Sequence, residues 1–345
     1  MGKLRGLFDE QNRLEKLSKH KDPLEKLSSY IDFEYFRKPL KRFFDKPTDP
    51  AKGGRPAYDY LLMFKILILQ RYYNLSDDSI EYAVLDRLSF MRFLGLGIND
   101  PVPDAKTIWL FRDNLTKGGM VEKLFKDLDR QLDKDGIIVH AGKLVDATIV
   151  EVPIQRNSRD ENKEIKEGKV PDEWLDKEHK LRQKDTDAQW VSHNGTDYFG
   201  YKDHVKADEK TLLITGYEVS AANVHDSVML EGMIDKKEDG GQPLYGDSAF
   251  RSEEIEVMLK RKNVESQIHE KGYRNHPLTK RQKQRNRKKS KIRARIEHIF
   301  GFMTNSMNGI YLRYRSLSRI TTGIGLMNLT YNIFRLVQLN IMLSK

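Results

Sequence analysis

Glu297 stands four residues after Arg293 in Lys-Ile-Arg-Ala-Arg-Ile-Glu-His-Ile-Phe-Gly, residues 291–301, at the end of the most basic tract of the chain. Ile292, Ile296, Ile299, Phe300 and Met303 fall at i, i+4, i+7, i+8 and i+11, the spacing of one buried helical stripe. Arg293 and Glu297 therefore lie one turn apart beside that stripe. Taken alone, they read as a surface ion pair. Two carboxylates elsewhere open a second reading. Asp146 sits inside the apolar run Leu144-Val-Asp-Ala-Thr148, where a charge is costly unless it is paired or metal-bound. Asp247 follows a short apolar run in Tyr245-Gly-Asp-Ser-Ala-Phe250, at the strand end where open sheets place ligands. Hard oxygen ligands from three separate elements suit Mg²⁺ or Mn²⁺.

The elements that must position these residues divide into two kinds. Residues 1–135 are helical in pattern. Apolar periodicity predicts helices over 58–73, 78–94, 105–115 (with Asp104 as N-cap) and 120–134. Pro47, Pro50, Gly53, Gly54 and Pro56 mark a loop before them. The helix–turn–helix look of this part permits DNA contact, and a packing or dimerisation role fits it equally. From Gly136 the pattern turns to β. Strands are expected at 137–140, 144–152, 198–207, 212–221, 243–245 and 264–269, with 198–221 forming a hairpin about Asp208-Glu209-Lys210. Helices are expected at 227–236, 252–262 and 320–342. Residues 155–197 form a charged insertion of little periodicity, read as mobile or loosely helical.

The charge balance is local. Of 61 Lys and Arg residues, 12 lie in 271–295 with no Asp or Glu, and the remaining 49 face 51 acidic residues. The net charge of +10 is therefore the footprint of one segment. Such a segment fits a phosphate backbone, with a solvated basic loop as the alternative. The chain has no cysteine, which excludes disulfides, thiolate metal sites and cysteine nucleophiles. Met1–His20 has no apolar core of a signal peptide, and the most apolar run, Tyr60–Leu69, is too short to span a membrane and contains Lys65. A cytoplasmic, nucleoid-associated protein without a membrane partner is expected.

Asp, Asp and Glu in this order of strands resemble the ribonuclease-H-like core of DDE transposases. The phrases Val-Asp-Ala-Thr (145–148), Ala-Asn-Val-His-Asp-Ser (222–227), Tyr-Gly-Asp-Ser-Ala-Phe (245–250) and Arg-Ala-Arg-Ile-Glu-His-Ile-Phe-Gly (293–301) are similar to those of the bacterial insertion sequence five group. Gly-Arg-Pro-Ala-Tyr (54–58), Leu88–Gly95 and Pro103–Arg112 resemble that family's N-terminal domain. The resemblance covers about residues 50–340. It implies a helical DNA-binding or dimerisation domain, 1–135, followed by a ribonuclease-H-like mixed-sheet catalytic domain, 136–345. It further implies Asp146, Asp247 and Glu297 as catalytic ligands of two divalent ions, Mg²⁺ or Mn²⁺. The activity implied is metal-dependent cleavage and strand transfer at an element's terminal inverted repeats, by a homodimer on DNA. Lys288, Lys289, Lys291, Arg293 and Arg295 are the expected DNA contacts. Arg293 matches the arginine of the family's extended signature, while its tyrosine and lysine positions hold Ser290 and Thr304. These departures keep open a catalytically inactive, transposase-derived DNA-binding protein.

Other signals weigh less. His225-Asp226 reads first as a helix start capped by Asp226 rather than as part of a metal phosphohydrolase site. His298 beside Glu297 reads as structural before it reads as a proton shuttle. Asn194-Gly-Thr196 spells a glycosylation sequon in a chain with no sign of secretion. Trp174 and Trp190 are expected to pack locally rather than stack on bases.

Overall fold

The computed structural model describes residues 8–45 and 57–343 except 182 and 275. The loop expected around Gly53, Gly54 and Pro56 lies outside the described residues, as does the start of the 54–58 phrase. Two compact units form: the described residues of Met1–Leu124 with those of Leu329–Lys345, and Phe125–Asn328. The sequence pattern groups 136–345 together, whereas residues 329–343 pack with the first unit.

The first unit is helical: α1 (Asp9–Lys19), α2 (Pro23–Tyr30), α3 (Arg37–Phe44), α4 (Tyr60–Tyr72), α5 (Asp77–Asp86), α6 (Leu88–Leu94), α7 (Ala105–Lys117) and the start of α8 (Met120–Lys134). Asp59 caps α4 by accepting the Leu61 and Leu62 N–H groups at 2.7 and 3.0 Å. Nearly all of α4 is buried, including Phe64, Ile66 and Leu67. A helix apolar on all sides belongs at the centre of a bundle. Asp104 caps α7 as expected, accepting from Thr107 N–H at 2.7 Å. The buried Arg112 on α7 is held by Asp77 at 2.6 Å and Gln70 at 3.1 Å, which ties α7 to α5 and α4. The single helix expected over 78–94 is two helices. Arg87 between them is extended, and its guanidinium lies over the Phe90 ring.

The second unit is built on a six-stranded sheet: β1 (Lys143–Glu151), β2 (Gln189–His193), β3 (Thr196–Asp208), β4 (Ile214–Ala221), β5 (Pro243–Tyr245) and β6 (Glu265–Ser266). The central order is β4-β3-β1-β5-β6, antiparallel among the first three and parallel from β1 onward. With α12 (Asp226–Met233), α13 (Lys236–Asp239) and α14 (Glu253–Arg261) in the crossovers, this is the expected ribonuclease-H-like arrangement. Val145, Leu230, Met233, Leu244, Phe250 and Leu259 form the core between sheet and crossover helices. Residues 137–140 are not a strand. His140 takes φ +54°, and its N–H bonds the Asp208 carboxylate, so the chain turns where extension was expected.

The insertion is more ordered than its composition suggests. It holds α9 (Arg159–Lys166), α10 (Asp172–Leu175), α11 (Glu178–Leu181) and the strand β2. Trp174 is fully buried there, and its indole N–H donates to Glu161 at 2.7 Å. Lys180 binds the same carboxylate at 2.8 Å and, with the Ser158 N–H, pulls it down to about 2. Local packing thus accounts for Trp174. β2 pairs with β3 through Asn194-Gly195, both at positive φ (51° and 78°), the signature of a tight hairpin turn. The segment that spells a sequon is this turn. Past β6 the chain continues as α15 (Lys280–Arg293), one 3₁₀ turn over Ala294–Ile296, α16 (Glu297–Asn305) and α17 (Leu317–Gln338). Among the described residues no helix is long and apolar enough to cross a membrane.

Candidate active site

Strand alternation places the first carboxylate. Val145 faces the apolar core, so Asp146 points to the other side of β1. Parallel pairing of β1 with β5 matches Lys143 with Leu244 and Leu144 with Tyr245. Continued by two residues, that register sets Asp247 beside Asp146. Gly246 permits the approach, since a Cβ there would meet Val145 Cγ2 at 3.2 Å and the Phe250 ring at 3.3 Å. Asp247 caps the 3₁₀ turn that follows by accepting the Ala249 N–H at 2.7 Å. The third carboxylate arrives on the helix. Ile296, Ile299 and Met303 are buried as their spacing predicts, while Arg293 reaches Asp146 on β1 and Glu297 stays largely exposed beside it.

Arg293 joins the elements. Its Nη1 donates to Asp146 Oδ2 at 3.0 Å and its Nη2 to Glu297 Oε1 at 3.2 Å. The Arg293–Glu297 pair therefore exists, but it is half of a bridge rather than an isolated surface pair. Asp146 is pushed up to about 6, chiefly by burial, with the charges of Asp247 and Asp226 adding to the rise. The Ala147 N–H at 2.9 Å and Arg293 offset part of it. Burial of Asp146 thus outweighs the guanidinium beside it. Among the described residues no three His, Asp or Glu side chains are already gathered tightly enough to hold a metal ion.

Residues 140–333, more than half of the chain, match the family described as Transposase DDE domain, and residues 12–114 match the Transposase domain (DUF772). The chain belongs to the DDE transposase family. A solved structure, the piggyBac transposase synaptic complex with hairpin DNA, is similar at 10% identity, covering 93% of this chain and 75% of that one, with a TM-score of 0.43. The protein is a DNA transposase, of a family of DNA-cleaving and transposing enzymes.

Two further residues lie close to the candidate carboxylates, His269 unforeseen in the sequence and Asp226 read there only as a cap. His269 ends the run of β6, and its N–H donates to Gly246 O at 3.1 Å, which extends the ladder to the level of Asp247. Its ring meets Ser290 Oγ at 3.2 Å, so the serine at the signature's tyrosine position points into the site. Burial and the cations Arg293 and Lys289 hold the imidazole below its usual range, against the pull of Asp247. The end of a parallel strand beside the Asp247 strand is the one signal that pointed there. Asp226 is the second. It is not the cap of α12: His225 is, accepting from Ser227 N–H, while Asp226 binds Lys202 Nζ at 2.8 Å. Thr304, at the signature's lysine position, is exposed on α16, and His298 is exposed beside Glu297.

The basic tract is a helix with two faces. Thr279 and Gln282 close a capping box at its start. One face is stitched to residues 268–270. Arg285 pairs with Glu270 at 2.7 Å, Asn286 bonds the Glu270 backbone, and Lys289 donates to Ile268 O at 2.9 Å. Arg295, just beyond, reaches Lys210 O at 3.1 Å and Glu209 at 3.6 Å. Of the five expected DNA contacts, Lys289, Arg293 and Arg295 thus have partners within the protein. Lys288 and Lys291 lie on the other face with Lys280, Arg281, Lys283 and Arg287, all exposed. The sequence count found the charge but could not sort it by face.

Proposed function

We propose that this transposase binds the terminal inverted repeats of an insertion sequence and carries out metal-dependent strand cleavage and strand transfer through Asp146, Asp247 and Glu297. The observation that carries this is the Arg293 bridge from Asp146 to Glu297, with Asp247 two residues past the end of the adjoining strand. It links a strand carboxylate to a helix carboxylate, and the β1–β5 register continued past Tyr245 supports Asp247 as the third hard oxygen donor. The donor set fits a divalent cation in its chemistry: all three candidates are carboxylates, and Asp146, held up chiefly by burial, gains from a cation beside it. DDE transposases generally use divalent metal ions. Asp146, Asp247 and Glu297 are the residues that would hold two ions. Bound Mg²⁺ or Mn²⁺ would activate the attacking oxygen and stabilise the leaving one.

The protein's own share is positioning. The outer face of α15 sets six cations along the helix between Lys280 and Lys291, about 17 Å at 1.5 Å per residue. Such a row tracks a phosphate backbone and leads it to the helix end where Glu297 stands. The helical residues 1–135 are assigned to DNA binding or dimerisation, the 136–345 part to chemistry, and a homodimer to the paired element ends.

The test is nicking of a labelled duplex carrying the element's own end. Asp247→Asn keeps the shape of the side chain and its capping acceptor but removes its charge. Binding of the end should persist while Mg²⁺-dependent nicking falls about 10³-fold or more. A wild type that binds the end yet never nicks it, in Mg²⁺ or Mn²⁺, would instead mark a catalytically inactive DNA-binding descendant.

A further inference from the structure

The Arg293 guanidinium fills the space between two of the three candidate ligands. Mg²⁺ needs oxygens at about 2.0–2.1 Å, whereas Asp146 and Glu297 each spend an oxygen on Arg293, at 3.0 and 3.2 Å. No three carboxylates are gathered for a metal among the described residues. The guanidinium is also imperfectly housed. Its side chain is 20% exposed, and its Nε is buried with no hydrogen-bond partner, so it forgoes a bond that a better-fitted arginine would make. Its single charge leaves the three carboxylates about two charges short of neutrality, which is the charge of one divalent ion.

We infer that Arg293 is a cation surrogate: it holds Asp146 and Glu297 together in the metal-free protein and is displaced from between them when a divalent ion binds. The idea rests on the proposed metal-binding role of these carboxylates. It assigns Arg293 a cost that a mere ligand-orienting residue lacks, because every ion that enters breaks two charge-assisted hydrogen bonds. Metal affinity in the absence of DNA is thereby held down. Arg293 is a positioning residue whose release accompanies loading of the site, and DNA phosphates near α15 are the natural acceptors for the freed guanidinium.

The experiment measures Mn²⁺ binding to the full chain without DNA, from the spin-resonance signal of free Mn²⁺. Arg293→Gln should bind Mn²⁺ about tenfold more tightly than wild type, roughly the worth of one charge-assisted hydrogen bond. Arg293→Lys keeps the charge but cannot span both carboxylates, and should bind about threefold more tightly. The lysine variant carries the test if the glutamine variant fails to fold. Equal or weaker binding by the folded arginine variants, with Asp146→Asn and Glu297→Gln both weakened, would overturn the displacement and leave the metal site standing. Wild-type affinity in Asp146→Asn and Glu297→Gln would remove the metal site and the surrogate together.

Discussion

A carboxylate kept for chemistry should cost the fold, and Asp146 allows that cost to be measured. Its environment raises it to about 6, against about 3.9 for an unfolded aspartate. The sign follows. The folded chain binds this proton more tightly than the unfolded chain, so the penalty of the charge is absent below about pH 4. It grows through pH 6 and is constant above. A rise of roughly two pKa units corresponds to at most about 3 kcal/mol. Asp146→Asn removes the charge but also one end of the Arg293 bridge, so about 1–2 kcal/mol of net stabilisation is expected at pH 8 without metal. For a unit of this size that raises Tm by about 3–6 °C. The assay is thermal melting with chelator present, wild type beside Asp146→Asn, at pH 4.5 and pH 8. The gap should open with pH, and nicking should vanish in the more stable variant. A variant less stable at pH 8, or a gap independent of pH, would show that Arg293 fully neutralises Asp146 and that no negative charge is left over for a cation.

Two further outcomes are expected. Changing Arg287, Lys288 and Lys291 together to alanine should weaken binding to all DNA sequences alike and lower the salt slope by about 2–3; Lys289→Ala, whose Nζ is bonded to Ile268 O, should change the slope less. An unchanged slope in the triple variant would mean that the outer face of α15 is merely solvated. Asp203 is fully buried on β3, where burial pushes it up to about 7 against a single bond from Asn328 at 3.1 Å. Its contribution is intact below about pH 4 and is lost as pH rises through 7, so Asp203→Asn should flatten the loss of stability between pH 5 and pH 8 seen in urea melts. Greater loss in the variant at pH 8 would refute this.

The sequence by itself determined where helices give way to strands, and it singled out the three carboxylates proposed for the chemistry. It could do so because a strand's period of two and a helix's period of 3.6 are local, and because a charge in an apolar run stands out without any partner being known. It also carried the β2–β3 hairpin in Asn194-Gly195, a turn signal present in the letters but overshadowed by the charges around it. It erred at 137–140, where β-forming residues sit on a turn set by the Asp208 carboxylate, and at Arg87, where no glycine or proline announces the break. It could not assign residues 329–343 to a unit, because α17 is buried on almost every side and its pattern does not say which neighbour covers which part. What the tertiary structure alone decided is the partnership of charges. Arg293 meets Asp146 across 147 residues, His269 reaches the site only through the β5–β6 ladder, and the basic tract divides into a docked face and a free one. Charge counts and spacings fix what a segment can bind, but burial and direction fix what it does bind, and both are properties of the packed chain.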